Sequence, residues 1–169
     1  EISREIERLK AITEEYLRYS RIPPPDQRDV DLNQLCADII DFSRAEALRS
    51  RVNLRLNPDP VSRLVRVDSN QLRSALINLI RNSCEALEEN GGDIEIAIRT
   101  GGGEAKIKLT DNGPGITSEL AERIFEPFFS TKPQGTGLGL SMVRQLIEAQ
   151  GGRIELSSSV HTGGTEREV

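Results

Sequence analysis

Tryptophan is absent from this chain of 169 residues, which has two tyrosines, four phenylalanines, one methionine, two cysteines and one histidine. A packed interior has to come from leucine, isoleucine, valine and alanine. Cys36 and Cys84 each sit among apolar neighbours in a helical pattern, so buried thiols of a reducing compartment are expected rather than a disulfide or metal site. One histidine cannot anchor a Cys/His zinc cluster. It is His161, in a Ser/Gly-rich stretch with the look of a solvated loop, and nothing around it suggests a helix-borne nucleophile. Basic clusters are missing too: 22 Lys and Arg are scattered among 27 Asp and Glu, for a formal charge of −5. That argues against direct nucleic-acid binding, which needs a basic footprint. No apolar run approaches the ~20 residues of a membrane span, and the charged N-terminus is unlike a signal peptide. The expectation is a soluble, cytoplasmic piece without a membrane segment, long enough for one core plus an appendage.

Glycine, by contrast, is concentrated. The turn Asp111-Asn112-Gly113-Pro114-Gly115-Ile116 and the turn Gly135-Thr136-Gly137-Leu138-Gly139-Leu140 bracket a segment holding Phe125-Glu126-Pro127-Phe128-Phe129-Ser130-Thr131-Lys132. Without a Cβ, Gly135, Gly137 and Gly139 can bring a row of backbone N–H groups against phosphate oxygens. The apolar periodic run that follows places those donors at a helix N-terminus, where anions are favoured. Upstream, Asn78, Asn82 and Glu85 fall on one face of a helix at separations of four and three. Polar amides on an otherwise apolar helix need a reason.

Together these segments resemble the ATP-binding domain of sensor histidine kinases, within the ATPase group that also contains gyrase, mismatch-repair and chaperone ATPases. Residues 78–86 resemble the family's N box, 111–116 its G1 box, 125–132 its F box and 135–140 its G2 box, in the family's order. The likeness covers roughly residues 28–169, with a nitrogen-regulation flavour from Arg81 and the Pro114-Gly115 turn. It implies an α+β fold of the Bergerat type and a function: an ATP-binding catalytic domain that donates the γ-phosphoryl of ATP to a histidine on a dimerisation domain outside this sequence. A response-regulator aspartate would receive it next. The full-length kinase would be a homodimer, and the chain alone would not autophosphorylate.

The periodicities fit such a fold. Ile2, Ile6, Leu9, Ile12, Tyr16 and Leu17 or Tyr19 form a helical stripe ended by Pro23-Pro24-Pro25. It reads either as an amphipathic helix on its own domain or, from the resemblance, as the end of a dimerisation helix, with residues 1–27 as helix plus linker and 28–169 as the catalytic domain. Asp31 caps a helix reaching about Ser50. Val52, Leu54 and Leu56 alternate as a strand, as do residues 64–67. Asp68 or Ser69 then caps a helix with the stripe Leu72, Leu76, Leu79, Ile80 and Leu87. Ile94, Ile96 and Ile98 face Ala105, Ile107 and Leu109 across Gly101-Gly102-Gly103, a hairpin whose turn type stays open. A helix from Leu140 to Ala149 stops at Gly151-Gly152. Strands at Ile154 to Leu156 and 165–169 follow across Gly163-Gly164. Helices and strands alternate without a parallel crossover signature. The pattern predicts a two-layer α/β sandwich, one mixed and mostly antiparallel sheet covered on one face by helices, preceded by a partial dimerisation helix.

Site chemistry follows from these positions. Asp111, at a strand end, offers a buried carboxylate to the exocyclic amino group of adenine and repels the guanine carbonyl. Gly113, Gly115 and Ile116 let backbone lie against the base, and Thr165 resembles the family's threonine at the adenine end. The resemblance makes Asn82 the magnesium ligand, with Mg2+ bridging to phosphates, and makes Gly135, Thr136, Gly137, Leu138 and Gly139 the phosphate turn. Lys132 is the mobile cation for the terminal phosphates, and Arg123 a secondary candidate. Asn78 stands where hydrolytic relatives carry a water-activating glutamate, and an amide is no base near neutral pH. Glu85 borders the site, without an assigned role, where many of these kinases have a basic residue. Phe125, Phe128 and Phe129 plug the core or anchor a lid and meet the helical domain. Departures are Glu166, where the family places an apolar residue, and the missing phosphoacceptor motif. An anti-sigma-factor-type serine kinase and a degenerate nucleotide-binding interaction module are the alternatives.

Overall fold

The computed structural model describes residues 21–132, 135–158 and 165–168, with only the backbone for 166–168, and also Ile6, Lys10, Thr13, Tyr16 and Leu17. Ile2, Leu9, Ile12, Tyr19, His161, Gly163, Gly164 and Val169 lie outside the described residues. The elements in chain order are β1 (Arg28–Asp31), α1 (Leu32–Arg49), β2 (Val52–Asn57), β3 (Leu64–Val67), α2 (Ser69–Leu87), β4 (Gly92–Gly101), β5 (Glu104–Asp111), α3 (Ser118–Arg123), α4 (Gly139–Ala149), β6 (Glu155–Ser158) and β7 (Thr165–Glu168). Ile6, Lys10, Thr13, Tyr16 and Leu17 are helical.

Two carboxylates start the long helices. Asp31 accepts from the N–H groups of Asn33 and Gln34 at 2.9 and 3.3 Å, and Asp68 from Asn70 and Gln71 at 2.9 and 3.0 Å. Each satisfies donors that the first helical turn leaves without partners. The choice between Asp68 and Ser69 thus falls to Asp68. Leu72, Leu76, Leu79, Ile80 and Leu87 are all buried, so the stripe read along α2 is its core face.

The five-stranded sheet has the order β2-β4-β5-β7-β6; α1 and α2 lie against it, and α4 packs on α2 within the same core. Ile94, Ile96, Ile98, Ile107 and Leu109 are at most 3% exposed, while Glu95, Arg99 and Lys106 point to solvent. One face is therefore core and the other wet, as alternation demands. The β4–β5 turn rests on Gly102 and Gly103, both with positive φ (61° and 83°), the backbone that two-residue hairpins require. Gly101 pairs with Glu104 and so belongs to the ladder.

Two features differ from the sequence reading. β2 pairs with β4 in parallel, from Val52↔Gly92 to Asn57↔Ala97. A crossover exists after all, hidden because β3 leaves the main sheet and α2 returns the chain. β3 instead pairs antiparallel with β1 in a separate two-stranded sheet. β1 has the sequence RDVD, with one apolar residue, too little for a period.

The proline-containing segment is stitched to the helical layer. Gln71 Nε2 donates to the Pro23 carbonyl at 2.9 Å, the Asp26 N–H to Asp68 Oδ2 at 2.8 Å, and Gln27 Nε2 to the Gln150 carbonyl at 3.1 Å. Asp68 therefore serves α2 and the linker at once. Burial alone would raise its pKa, but the N–H groups of Gln71, Asp26 and Asn70 outweigh that and hold it below the usual carboxylate value. A group whose folded pKa is depressed stabilises fully above its unfolded value, near 3.9, and loses that contribution as pH falls through the folded value. Asp68→Ala is expected to cost about 1–2 kcal/mol at pH 7 in urea unfolding, the gap from wild type closing below about pH 3.5. Equal stability at pH 7 would remove Asp68 from this role.

Candidate functional site

The residues of α2 just off its core stripe face a cleft. That cleft has a volume of about 310 Å³ and is lined by Arg81, Asn82 and Glu85 of α2, by Phe129 and Lys132, and by Gly135, Thr136, Gly137 and Gly139. Three segments widely separated in sequence thus meet around one space. They are the N-box, F-box and G2-box stretches.

A buried polar cluster lies at the end of β5. Asp111 is 2% exposed, and Thr165, the first residue of β7, is its cross-strand partner at 3%. Ser83 Oγ donates to Asp111 Oδ2 at 2.8 Å, and the Gly113 N–H donates to Oδ1 at 3.1 Å. Both oxygens are oriented by fixed donors, so the carboxylate is held in one rotamer in a site nearly closed to water. Ser83, itself fully buried, escaped the sequence reading. The signal was present: position 83 falls on the apolar stripe, between Ile80 and Leu87, and a hydroxyl there must find an acceptor. Gly115 takes a positive φ of 77°, and the Ile116 N–H donates to Ser158 Oγ at 2.7 Å. The G1 turn is pinned to β6 by a serine the sequence did not mark.

At the cleft, Asn82 Nδ2 donates to the Asn78 carbonyl at 2.9 Å, leaving Oδ1 as the acceptor side of the amide. Asn78 Oδ1 accepts from Arg81 at 2.9 Å, so that amide is spent within α2. Lys132 Nζ forms an ion pair with Glu85 Oε2, and Arg81 Nε lies 3.9 Å from Glu85 Oε1. Ser130 Oγ accepts from the Lys132 N–H at 3.1 Å, shaping the turn that presents the lysine. Gly139 opens α4 opposite these amides, where a Cβ would sit 3.8 Å from Asn82 Nδ2 and 3.9 Å from Asn78 Oδ1. No side chain caps that helix. Its first N–H groups are the kind of unpartnered donors that accept an anion.

Gly137 (φ 72°) shows why this turn needs glycine. A Cβ there would lie 2.4 Å from the Phe128 carbonyl carbon, and the Phe128 N–H donates to the Gly137 carbonyl at 3.0 Å. The F-box and G2 loops are therefore interlocked backbone to backbone. Leu138, placed by its motif among the nucleotide residues, is fully buried and lies beneath the turn. The Thr136 hydroxyl accepts from the Leu138 N–H at 3.3 Å.

The three phenylalanines divide the roles expected of them. Phe125 is buried, with the Arg144 guanidinium 4.4 Å from its ring centroid, and Phe129 lines the cleft beneath Arg123 at 4.3 Å. Phe128 is 60% exposed with φ 66°, and its ring stacks on that of Tyr16 at 6.3 Å. Arg123 also pairs with Glu126 at 3.3 Å, so it is committed beside the cleft while Lys132 reaches into it.

A divalent ion can be tested against the donor set. Among the described residues no three His, Cys, Asp or Glu side chains cluster, and the cleft offers one amide oxygen beside one carboxylate. Such a sparse oxygen set does not make a resident metal centre. It fits a hard cation that keeps its water and bridges to phosphate oxygens, as magnesium does.

Comparison with known proteins agrees with this geometry. The family described as histidine kinase-, DNA gyrase B-, and HSP90-like ATPase matches residues 67–169. The chain is 32% identical over 163 residues to the sensor histidine kinase ZraS of Klebsiella oxytoca, spanning 96% of this chain and 35% of that protein. It covers about a third of the length of the curated relatives it matches. Among solved structures, the catalytic domain of histidine kinase ThkA is 31% identical with a TM-score of 0.74, covering 85% of this chain and 95% of that one. A second structure, ThkA in complex with the response regulator protein TrrA, gives a TM-score of 0.79 at 29% identity, covering 99% of this chain and 48% of that one. No helix among the described residues is long and apolar enough to cross a membrane. A buried, doubly held carboxylate, an uncapped helix start and the amides of α2 thus sit in a shared architecture: the chain belongs to the histidine kinase-, DNA gyrase B- and HSP90-like ATPase family, as the catalytic ATP-binding domain of a two-component sensor histidine kinase.

Proposed function

We propose that this domain holds Mg2+ and ATP across α2 and delivers the γ-phosphoryl group to a histidine on the dimerisation helices of the same kinase, which passes it to a response-regulator aspartate. The observation that carries the reading is the position of α2. Through Ser83 this helix holds Asp111, and at the adjacent position Asn82 faces Lys132 and the uncapped start of α4. The base therefore lies beside Asp111 and the polyphosphate in the cleft.

In this reading Asp111 accepts a hydrogen bond from the adenine amino group, Thr165 and Ile116 flank it, and Gly113 and Gly115 let the backbone approach. The N–H groups of the turn from Gly135 to Gly139 bind phosphate oxygens. Asn82 Oδ1 would hold magnesium, which when bound offsets charge on the phosphates. Lys132 neutralises charge on the terminal phosphate. An imidazole nitrogen of the acceptor attacks the γ-phosphorus, the bond to the β–γ bridging oxygen breaks, and ADP leaves with that electron pair. No side chain at position 78 can take a proton from water, so ATP is kept for the histidine. The kinase whose structure was solved with a response regulator supports the last relay step. Tyr16 stacked on Phe128 supports contact between the F box and the helix preceding the linker.

Three outcomes test the assignments. Mixed with a separately prepared histidine-bearing helical domain of the same kinase, this chain should generate acid-labile phosphohistidine from ATP, whereas acid-stable phosphoserine on a partner would point to a serine kinase. Asp111→Asn should weaken adenine-nucleotide binding by roughly 1.5–3 kcal/mol in calorimetry, and Ser83→Ala, which acts through Asp111, by about 1 kcal/mol. A Ser83→Ala protein that loses binding of ATP and of an inosine nucleotide equally would show a structural role only. Asn82→Ala should abolish the magnesium dependence of ATP binding; a surviving dependence means another residue holds the metal.

A further inference from the structure

The geometry points to Glu85 as an internal counter-ion that occupies the place of the polyphosphate in the nucleotide-free domain, latching the F-box loop to α2 until a nucleotide takes over its two cations. Its two oxygens face different partners, Oε2 the Lys132 ammonium and Oε1 the Arg81 guanidinium at 3.9 Å. Those groups border the cleft that the second glycine turn closes from the other side. A carboxylate bridging two cations on the cleft wall is the arrangement a phosphate would replace, with the same charge sign and oxygen acceptors.

Arg81 is oriented for this by its hydrogen bond to Asn78 Oδ1, and Lys132 by the Ser130 hydroxyl. All three charged side chains are partly exposed, Glu85 at 41%, Lys132 at 44% and Arg81 at 46%. A solvated pair of this kind is weak and exchanges readily, which suits a latch that a ligand must open. With Glu85 the cluster carries one net positive charge, and without it two. A metal-free nucleotide therefore meets a carboxylate in competition for its cations, and one accompanied by a divalent ion does not face it unshielded. Glu85 in this way makes the cleft favour the metal-bound nucleotide. It is a positioning residue, acting through Lys132 and Arg81.

The inference rests on the nucleotide reading above for its second half only, since the latch exists without ligand. Glu85→Gln and Lys132→Gln, each nearly isosteric and partly exposed, give a paired test. In the nucleotide-free protein both should raise amide hydrogen exchange at residues 130–132 and 135–138 several-fold. With ADP the two should diverge. Glu85→Gln should bind metal-free ADP about three- to ten-fold more tightly, the effect of one unit charge at a few ångströms across a partly solvated gap, while its gain with magnesium present is smaller. Lys132→Gln should bind ADP more weakly. Unchanged exchange in both variants overturns the latch. A Glu85→Gln protein that binds ADP more weakly, and only when magnesium is present, overturns the counter-ion role in favour of direct metal ligation. If wild type binds no adenine nucleotide while both variants loosen the loop, the latch stands and the nucleotide reading falls.

Discussion

One helix has to satisfy two solvents. α2 buries Leu72, Leu76, Leu79, Ile80, Cys84 and Leu87 against the sheet and neighbouring helices, and turns Arg81, Asn82 and Glu85 to the cleft. Successive residues on a helix are separated by about 100°, so a slip of one position would drive Asn82 into the core and expose an aliphatic face. Each buried leucine or isoleucine contributes about 1.5–3 kcal/mol relative to exposure, and the five of them on α2 fix its rotation far more firmly than any ligand contact could. The position of the amides is thus inherited from packing. Ser83 sits at the seam between the two faces and transmits that rigidity to Asp111.

The opposite wall of the cleft is built on a different principle. The second glycine turn is anchored by buried Leu138 and registered against the F-box loop by Gly137, where the backbones are too close for any side chain. Phe128 takes a left-handed φ, a conformation a phenylalanine rarely adopts, and the Phe128–Gly137 hydrogen bond helps sustain it. Strain held in place this way couples two loops: displacement of one must displace the other. Because the ring of Phe128 also meets Tyr16, the coupling extends to the helix ahead of the linker. That linker is in turn hydrogen-bonded to the first turn of α2 and the end of α4, at Asp68, Gln71 and Gln150.

How much of this could be read from the sequence depended on what each feature needs. α1, α2, α4 and the β4–β5 hairpin carry long, regular apolar periods and emerged from the sequence, because burial on one face writes a period into the chain, while the choice of Asp68 over Ser69 and the turn type of the hairpin needed the structure. β1 did not emerge, since four residues with a single valine carry no period and the strand exists through its pairing with β3. The parallel pairing of β2 with β4 was equally hidden, being a property of where α2 returns rather than of either strand. In the site, the glycine turns were legible because their conformations exclude other residues. The division of labour among the three phenylalanines was not, since composition gives their number and only packing separates a plug, a cleft wall and an exposed contact. Leu138 carries the opposite lesson: motif membership placed it with the ligand, and its burial places it under the turn.

The arrangement of charge around α2 bears on how such a site avoids wasting its phosphodonor. Water in the cleft becomes a nucleophile only if a base takes its proton. The side chain at position 78 is an amide already hydrogen-bonded to Arg81, and Asn82 is an amide whose nitrogen is tied to the helix backbone. Among the described residues of the cleft wall one is a carboxylate, Glu85, and its oxygens are engaged by two cations. In the nucleotide-free domain, then, neither amide is a base, and the oxygens of the carboxylate are taken up by Lys132 and Arg81. In the proposed reading the nucleophile comes from another surface at the mouth of the cleft, and exposed Phe128 lies on the loop that borders that mouth.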